Sequence, residues 1–490
     1  MIKPVKLEML ILAVALFPGA VYPAPPVGQV VNYSDFSYVR DIATSVGKVF
    51  FATTNGIVVY NKFTRAWEEP LTGKPGLNDN DVYQIWVDRF GSNLYAQSSI
   101  QYFEYDSAFQ QWYNIGTLPE IETEDQEIDP PKVMFAPAGF NYMNDGRLVD
   151  KFGRYYSFIN LIQDGSGELW AGTWGTGPAR ASGSSGTIEL LPYGLLQTRV
   201  NAIYNDFGYL WVSGAISNSE RTGISIFDPD ENSFEYIESG LTRDFPSVDI
   251  NCITGNDTQI FVGTEVGVII MDRESFQVLN RISRRDGLYN ENVLSLAVRG
   301  DSMFVGTAEG LNLVIPEGDS VAVFGPVSLL DDVIYDLELV DTTLWIAATS
   351  GAYRWYWTSD KLQQYQDPNL VIFSTCLSVE RRKNYLWLAS NDGLVKLNLK
   401  DGETTPFRNV TSNRNFRAMA VNDTMALMTS NLGLTILFHA NEKPFEREFT
   451  TDDGLPSSNV FELELDGDYV WIGTDKGLTR FWWNNPSRVD

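Results

Sequence analysis

A single histidine, His439, stands in a chain of 490 residues, and that count is the first bound on its chemistry. Multi-histidine metal sites are excluded, and a Ser-His-Asp or Cys-His nucleophile would have to use that one ring. Two cysteines, Cys252 and Cys376, cannot build a disulfide framework. No Gly-rich phosphate loop, metal-ligand spacing or nucleophile elbow is present. What remains is 63 acidic side chains, of which a glycosidase needs only one properly separated pair, and a group of aromatic and arginine residues in one stretch. Trp174, Tyr142, Tyr155 and Tyr156 could stack on a sugar ring or an apolar ligand, while Arg180, Arg221 and Arg147 could take carboxylates or hydroxyls. These seven are the candidate ligand-binding residues; no catalytic residue, metal or cofactor is expected. The acidic run Glu120, Glu122, Glu124, Asp125, Glu127 and Asp129 lacks the spacing of a calcium loop and reads as a solvated linker.

The elements that would position such groups follow from a repeat. Near the C-terminus, Asp453-Gly454-Leu455-Pro456-Ser457-Ser458-Asn459-Val460 leads into FELELDGDYVWIGTDKGLTRF, a succession of turn, strand, tight turn, strand, tight turn, strand. Keyed on Trp471, the pattern recurs roughly every 42 residues, at Phe50, Tyr95, Trp170, Trp211, Phe261, Phe304, Trp345, Trp387 and Leu427. Nine of these ten positions are aromatic, and in seven a glycine falls six residues later: Gly56, Gly267, Gly310, Gly351, Gly393, Gly433 and Gly477. In each unit strand a alternates, strand b carries the large ring and a small Gly-Thr step, and the glycine opens strand c after a turn that wants positive φ. Strand d is amphipathic, as in Phe445 to Thr450. Four antiparallel strands repeated radially make an all-β fold, a β-propeller of about ten four-stranded blades. The last unit lacks strand d, and Gln29-Val30-Val31-Asn32-Tyr33 matches one. The expectation is a single ring closed by this N-terminal strand, with two smaller rings as the alternative.

The run Asp453 to Phe481 resembles the two-component regulator propeller repeat, with its Gly-Leu-Pro-Ser-Asn turn, Asp-Gly turn and Leu-Trp-Ile-Gly-Thr strand. Asp286-Gly287-Leu288 through Gly306-Thr307, Asp164 through Gly172-Thr173, and Leu386 through Gly393-Leu394 carry the same resemblance. It implies the periplasmic sensor half of hybrid histidine kinases, often responding to glycans, or a related propeller of outer-membrane secretion machinery. The 490 residues hold no kinase or receiver pattern.

Scaffold positions have simpler readings. The Asp-Gly pairs Asp164-Gly165 and Asp466-Gly467 sit at hairpin turns, the strand-b tryptophans are core, and His439 ends strand c of the ninth unit. Cys252 and Cys376 read as small buried hydrophobes three units apart. Loop elaboration is where a site is expected. The three units without the glycine, keyed by Tyr95, Trp170 and Trp211, are consecutive. An insertion, 116–158, separates the second from the third and could be a degenerate eleventh blade. The b–c loops at Trp174 to Gly186 and Ala215 to Thr222 are swollen. A rigid scaffold with grafted loops is where binding usually sits.

Lys3 and Lys6, the apolar run Met9 to Phe17 and the small residues to Ala24 read as a secretory signal, 1–24, too short to span a bilayer. The repeats then occupy 25–490, with no integral membrane segment. A formal charge of −27 repels a nucleic-acid backbone. The expectation is therefore a periplasmic or secreted, non-catalytic propeller binding an oligosaccharide or an envelope protein. A scaffold in an envelope or secretion assembly, and a carbohydrate-active enzyme with paired carboxylates, are the alternatives.

Overall fold

The computed structural model describes residues 30–484, apart from 78, 92, 124, 132, 183–185, 217–220, 318–319, 373–374, 409 and 411–415. The targeting segment expected at 1–24 lies outside the described residues. Ten antiparallel sheets account for the strands: nine have four strands and one has seven. Taken in chain order they are blades 1 (39–67), 2 (82–115), 3 (155–190), 4 (202–238), 5 (250–282), 6 (293–324), 7 (334–364), 8 (378–408), 9 (419–449) and 10 (460–482). Within each, strands a to d run outward from the inner edge. No helix among the described residues is long and apolar enough to cross a membrane.

The repeat chemistry acts as its residue types imply. Trp170, Trp211, Trp345, Trp387 and Trp471 are fully buried on strand b, and each of the seven glycines opens a strand c with positive φ. A threonine three positions after the key ring adds a device the repeat conceals. The hydroxyls of Thr53, Thr264, Thr307 and Thr474 donate to the carbonyls of Gly56, Gly267, Gly310 and Gly477, locking the b–c turn.

The N-terminal strand Val30–Tyr33 supplies the missing fourth strand of blade 10, pairing Val30 with Phe481 and Tyr33 with Leu478. Gly477 makes the join possible, because a Cβ there would lie 2.1 Å from the Tyr33 carbonyl oxygen. Of the two arrangements open in the sequence, the packing of the inner strands decides for smaller groups. The a strands of blades 4 to 10 pack in succession, and that of blade 10 returns to blade 4, closing a ring of seven. Blades 1, 2 and 3 stand beside it as an open arc in the spatial order 3–1–2. One apolar cluster welds the two groups: Tyr33, Phe36, Val39, Tyr60, Trp170, Tyr193, Phe227 and Trp471 come from blades 1, 3, 4 and 10 and the segments joining them.

Both ends of the arc lack the neighbour that covers a blade in a closed ring. At blade 3 the insertion fills the gap. Its strands Gln126–Glu127, Phe140–Tyr142 and Arg147–Asp150 join the blade 3 sheet instead of forming an eleventh blade, and Met134, Leu148 and Tyr156 pack onto Leu161, Leu169, Ala179 and Ile188. Asp125, in the acidic stretch read as a solvated linker, is half-buried instead, accepting the backbone N–H and the hydroxyl of Thr44 on blade 1. At blade 2, among the described residues, no following blade packs on strand b. Trp86, Tyr95, Glu104 and Tyr113 are cross-strand neighbours on that face; Tyr95 is itself buried, but the equivalent rings elsewhere bury against the next blade.

Candidate functional site: a cleft between ring and arc

The closing strand leaves blade 10 and runs through Ser34–Tyr38 into blade 1, so the walls on either side of it come from residues far apart in sequence. Between them lies a cleft of about 780 Å³, within the size range of small-molecule sites. The arc contributes Thr54, Asn55, the blade 1–2 connection residues Thr72 to Leu77, Asp79 and Asn80, and the turn residues Phe109 to Gln111. The ring contributes Thr198, the blade 9–10 connection Thr451 to Pro456, and Asp475 and Lys476. Val30 forms part of the lining between them.

Local chemistry fixes both walls. Asn32 on the closing strand donates to the Gly454 carbonyl at 2.9 Å and accepts the Thr479 hydroxyl at 2.6 Å. A Cβ on Gly73 would collide with the same Asn32 side chain, so the arc loop approaches as closely as glycine allows. Ser34 donates to the Lys476 carbonyl at 3.0 Å, and Asn55 to the Asp35 carbonyl at 2.7 Å. A capping box, with the Thr450 N–H on Asp453 at 2.8 Å and the Asp452 N–H on the Thr450 hydroxyl at 3.2 Å, sets the turn Thr451–Asp453.

Hydrogen-bonding groups line much of the cleft, among them Asn55, Thr72, Asn80, Gln110, Gln111, Asp79, Asp452, Asp453 and Asp475, and they alternate with an apolar surface of similar extent from Val30, Leu77, Phe109 and Leu455. Asp475 accepts from Asn459 at 2.8 Å through Oδ2, while its buried Oδ1 has no hydrogen-bond partner among the described residues. Amides, hydroxyls and carboxylates interleaved with apolar surface suit a sugar, whose hydroxyls offer donors and acceptors at its edge while its ring faces are apolar.

The structure places the seven sequence candidates elsewhere, around the junction of blades 3 and 4. Arg221 pairs with Glu238 at 2.9 Å; Glu238 also faces Arg154, which is bound to Asp150 at 2.6 Å, and Asp150 accepts the Tyr156 hydroxyl at 3.2 Å. This network ties the insertion to blade 4. Tyr156 is buried. Arg180 pairs with Glu189 at 2.6 Å, and Arg147 pairs with Asp145 while its guanidinium covers the exposed Tyr155 ring. Tyr142 donates to the Pro131 carbonyl at 2.5 Å. Trp174 is exposed and lies edge-on to Tyr38 with Arg40 over its ring. The loops do converge on one region, but most of the charges they carry are matched internally. Arg221→Ala is therefore expected to cost about 3 kcal/mol, since it strips a partner from the buried Glu238. Trp174→Ala should stay within about 1 kcal/mol of the parent. Urea unfolding of the two variants checks this, and equal costs would contradict it.

The cleft was missed because its walls are made of the repeat itself: Gly454-Leu455 and Gly76-Leu77 look like turn punctuation. The one usable signal was the orphan strand at 29–33, which marks where first and last units meet.

No protein-family model and no curated protein matches the chain. Solved structures do. PorZ, an essential bacterial surface component of the type-IX secretion system of Porphyromonas gingivalis, is similar over 91% of this chain and 68% of that one, at 14% identity and a TM-score of 0.51. The extracellular domains of two hybrid two-component systems of B. thetaiotaomicron are also similar. One covers 92% of this chain and 71% of that chain at 13% identity and a TM-score of 0.49; the other covers 95% and 77% at 15% and 0.47. At such identities the likeness is one of fold. The chain is a β-propeller protein similar to those extracellular propellers, as the repeat implied.

Proposed function

We propose that the chain is an exported, non-catalytic propeller that binds a glycan in the cleft between ring and arc, as a sensor or accessory factor. The observation that carries this is the cleft itself: a concavity of mixed polar and apolar lining whose walls belong to two propeller groups and meet along the closing strand. Export is supported by the basic and apolar N-terminal segment and by the extracellular and surface settings of the similar structures. The test is thermal unfolding of the protein against plant, algal and bacterial oligosaccharides, with each mixture chromatographed afterwards. A ligand at about 100 times its dissociation constant adds roughly 2.7 kcal/mol. The expected result is a saturable shift with intact sugar, lost in Asp475→Ala. Shortened sugar would make the protein an enzyme acting through the cleft aspartates, and a flat response across the panel would count against ligand binding.

The scaffold reading has its own observation, the outer blade 2 face that carries the half-buried Trp86 and the exposed Tyr113. On that reading an envelope protein is retained by the parent and released by a Trp86→Ala, Tyr113→Ala variant.

A further inference from the structure

Lys74 lies in the blade 1–2 connection and is 7% exposed, yet among the described residues its one hydrogen-bond partner is a neutral amide, Gln110 Oε1 at 3.1 Å. The nearby carboxylates are committed elsewhere. Glu68 is bound by Lys48 at 2.7 Å, and Glu69 is held by Arg480. Burial lowers the Lys74 pKa, Glu69 partly offsets this, and Arg480 adds like-charge repulsion. A buried ammonium whose nearest carboxylate is already paired with an arginine is only partly compensated, and that is costly. The position is not accidental slack, for Gly76 lets the loop pass so close to blade 2 that a Cβ there would lie 1.9 Å from the Trp112 carbonyl oxygen.

Lys74 and Gln110 line two spaces at once: the cleft, and an adjoining pocket of about 310 Å³ between blades 1 and 2 bordered by Lys48, Tyr105 and Ser107. We propose that Lys74 is an anion-binding group for the cleft and receives the carboxylate of an acidic sugar whose hydroxyls meet the surrounding amides and donate to the Asp79, Asp452, Asp453 and Asp475 carboxylates. Binding would supply the missing counter-charge, so the cost stored in the free protein becomes selectivity for a carboxylate over its neutral analogue. This rests on the cleft reading and narrows it to uronate-bearing glycans.

The experiment uses oligogalacturonate and its methyl ester as probes, with calorimetry on the parent and on Lys74→Met. Oligogalacturonate should bind the parent saturably, the methyl ester at least tenfold more weakly, and Lys74→Met should lose at least tenfold for the acid. Unliganded Lys74→Met should be at least as stable as the parent, because it removes a buried uncompensated charge. Equal binding of acid and ester would overturn the role of Lys74 while leaving the cleft as a neutral-glycan site. Absence of binding by either probe would overturn the uronate assignment. A Lys74→Met variant that is destabilised or fails to fold would show that the ammonium is satisfied within the protein, and would overturn the proposal without any ligand.

Discussion

Raising the pH from 5 to 8 should cost the folded protein a few kcal/mol of stability, and the inner wall of the seven-blade ring is the reason. Asp336, Glu338, Glu380, Glu462 and Glu464 project from the inner strands of blades 7, 8 and 10 around a space of about 370 Å³. Some reach across to the next blade: Asp336 accepts the Ser378 hydroxyl at 2.7 Å and the Val379 N–H at 3.0 Å, and Glu380 accepts the Val421 N–H at 2.9 Å. Burial raises all five, with carboxylate neighbours adding to the rise for the four glutamates. Glu338 and Glu462 are pushed up to about 8 and Glu464 to about 7. A carboxyl with a raised folded-state pKa binds its proton more tightly when folded. Its contribution is fully present below the unfolded value near 4.5 and disappears as the pH climbs through 7 to 8. The groups titrate as a coupled set, so the loss is spread over that window. Below pH 4 the slope reverses, because Asp164, held down to about 2 chiefly by Lys62, Ser166 and Trp170 against the cost of its burial, begins to lose its partners. Urea unfolding at successive pH values should therefore show a maximum near pH 5, and Glu462→Gln should flatten the alkaline side. A profile level from pH 5 to 8 would mean that these carboxylates remain ionised in the folded ring.

Tyr33→Ala should cost about 3 to 5 kcal/mol, the range for truncating a large buried ring. Its ring lies with centroid distances of 4.6 Å to Phe227, 6.1 Å to Phe234 and 6.4 Å to Trp471, so it fills the seam where ring closure, blade 4 and the arc meet. The same strand carries Asn32, which clamps the cleft wall at Gly454. Loss of stability should thus come with weakened ligand binding, unlike a core truncation in blade 6 such as Phe304→Ala. A Tyr33→Ala cost below about 1 kcal/mol would show that the last blade does not need its N-terminal strand.

What the sequence disclosed and what it withheld divide along physical lines. Local turn chemistry is periodic, so Gly477 and its counterparts identified strand c, and the orphan strand 30–33 identified the closure. How many blades complete a turn depends on inter-blade packing angles set by whole strands, so the seven-blade ring was not readable from repeat length. The alternation of Val460, Leu463 and Leu465 gave the core face of blade 10, but Glu462 and Glu464 between them looked like ordinary solvent-facing positions until the ring enclosed them. Arg221 and Arg180 could not be separated from binding residues because a buried ion pair and a ligand contact use the same side chains. Lys74 gave no sign at all: only the fold shows that its carboxylate neighbours are already taken.

The most direct test of the cleft is hydrogen exchange of the protein with and without an oligosaccharide that shifts its unfolding. Slowed exchange should fall on 72–80, 451–456 and 475–476, on both sides of the closing strand. Protection confined to 174–180 and 221–222, or to the blade 2 strands 82–115, would contradict a site between ring and arc.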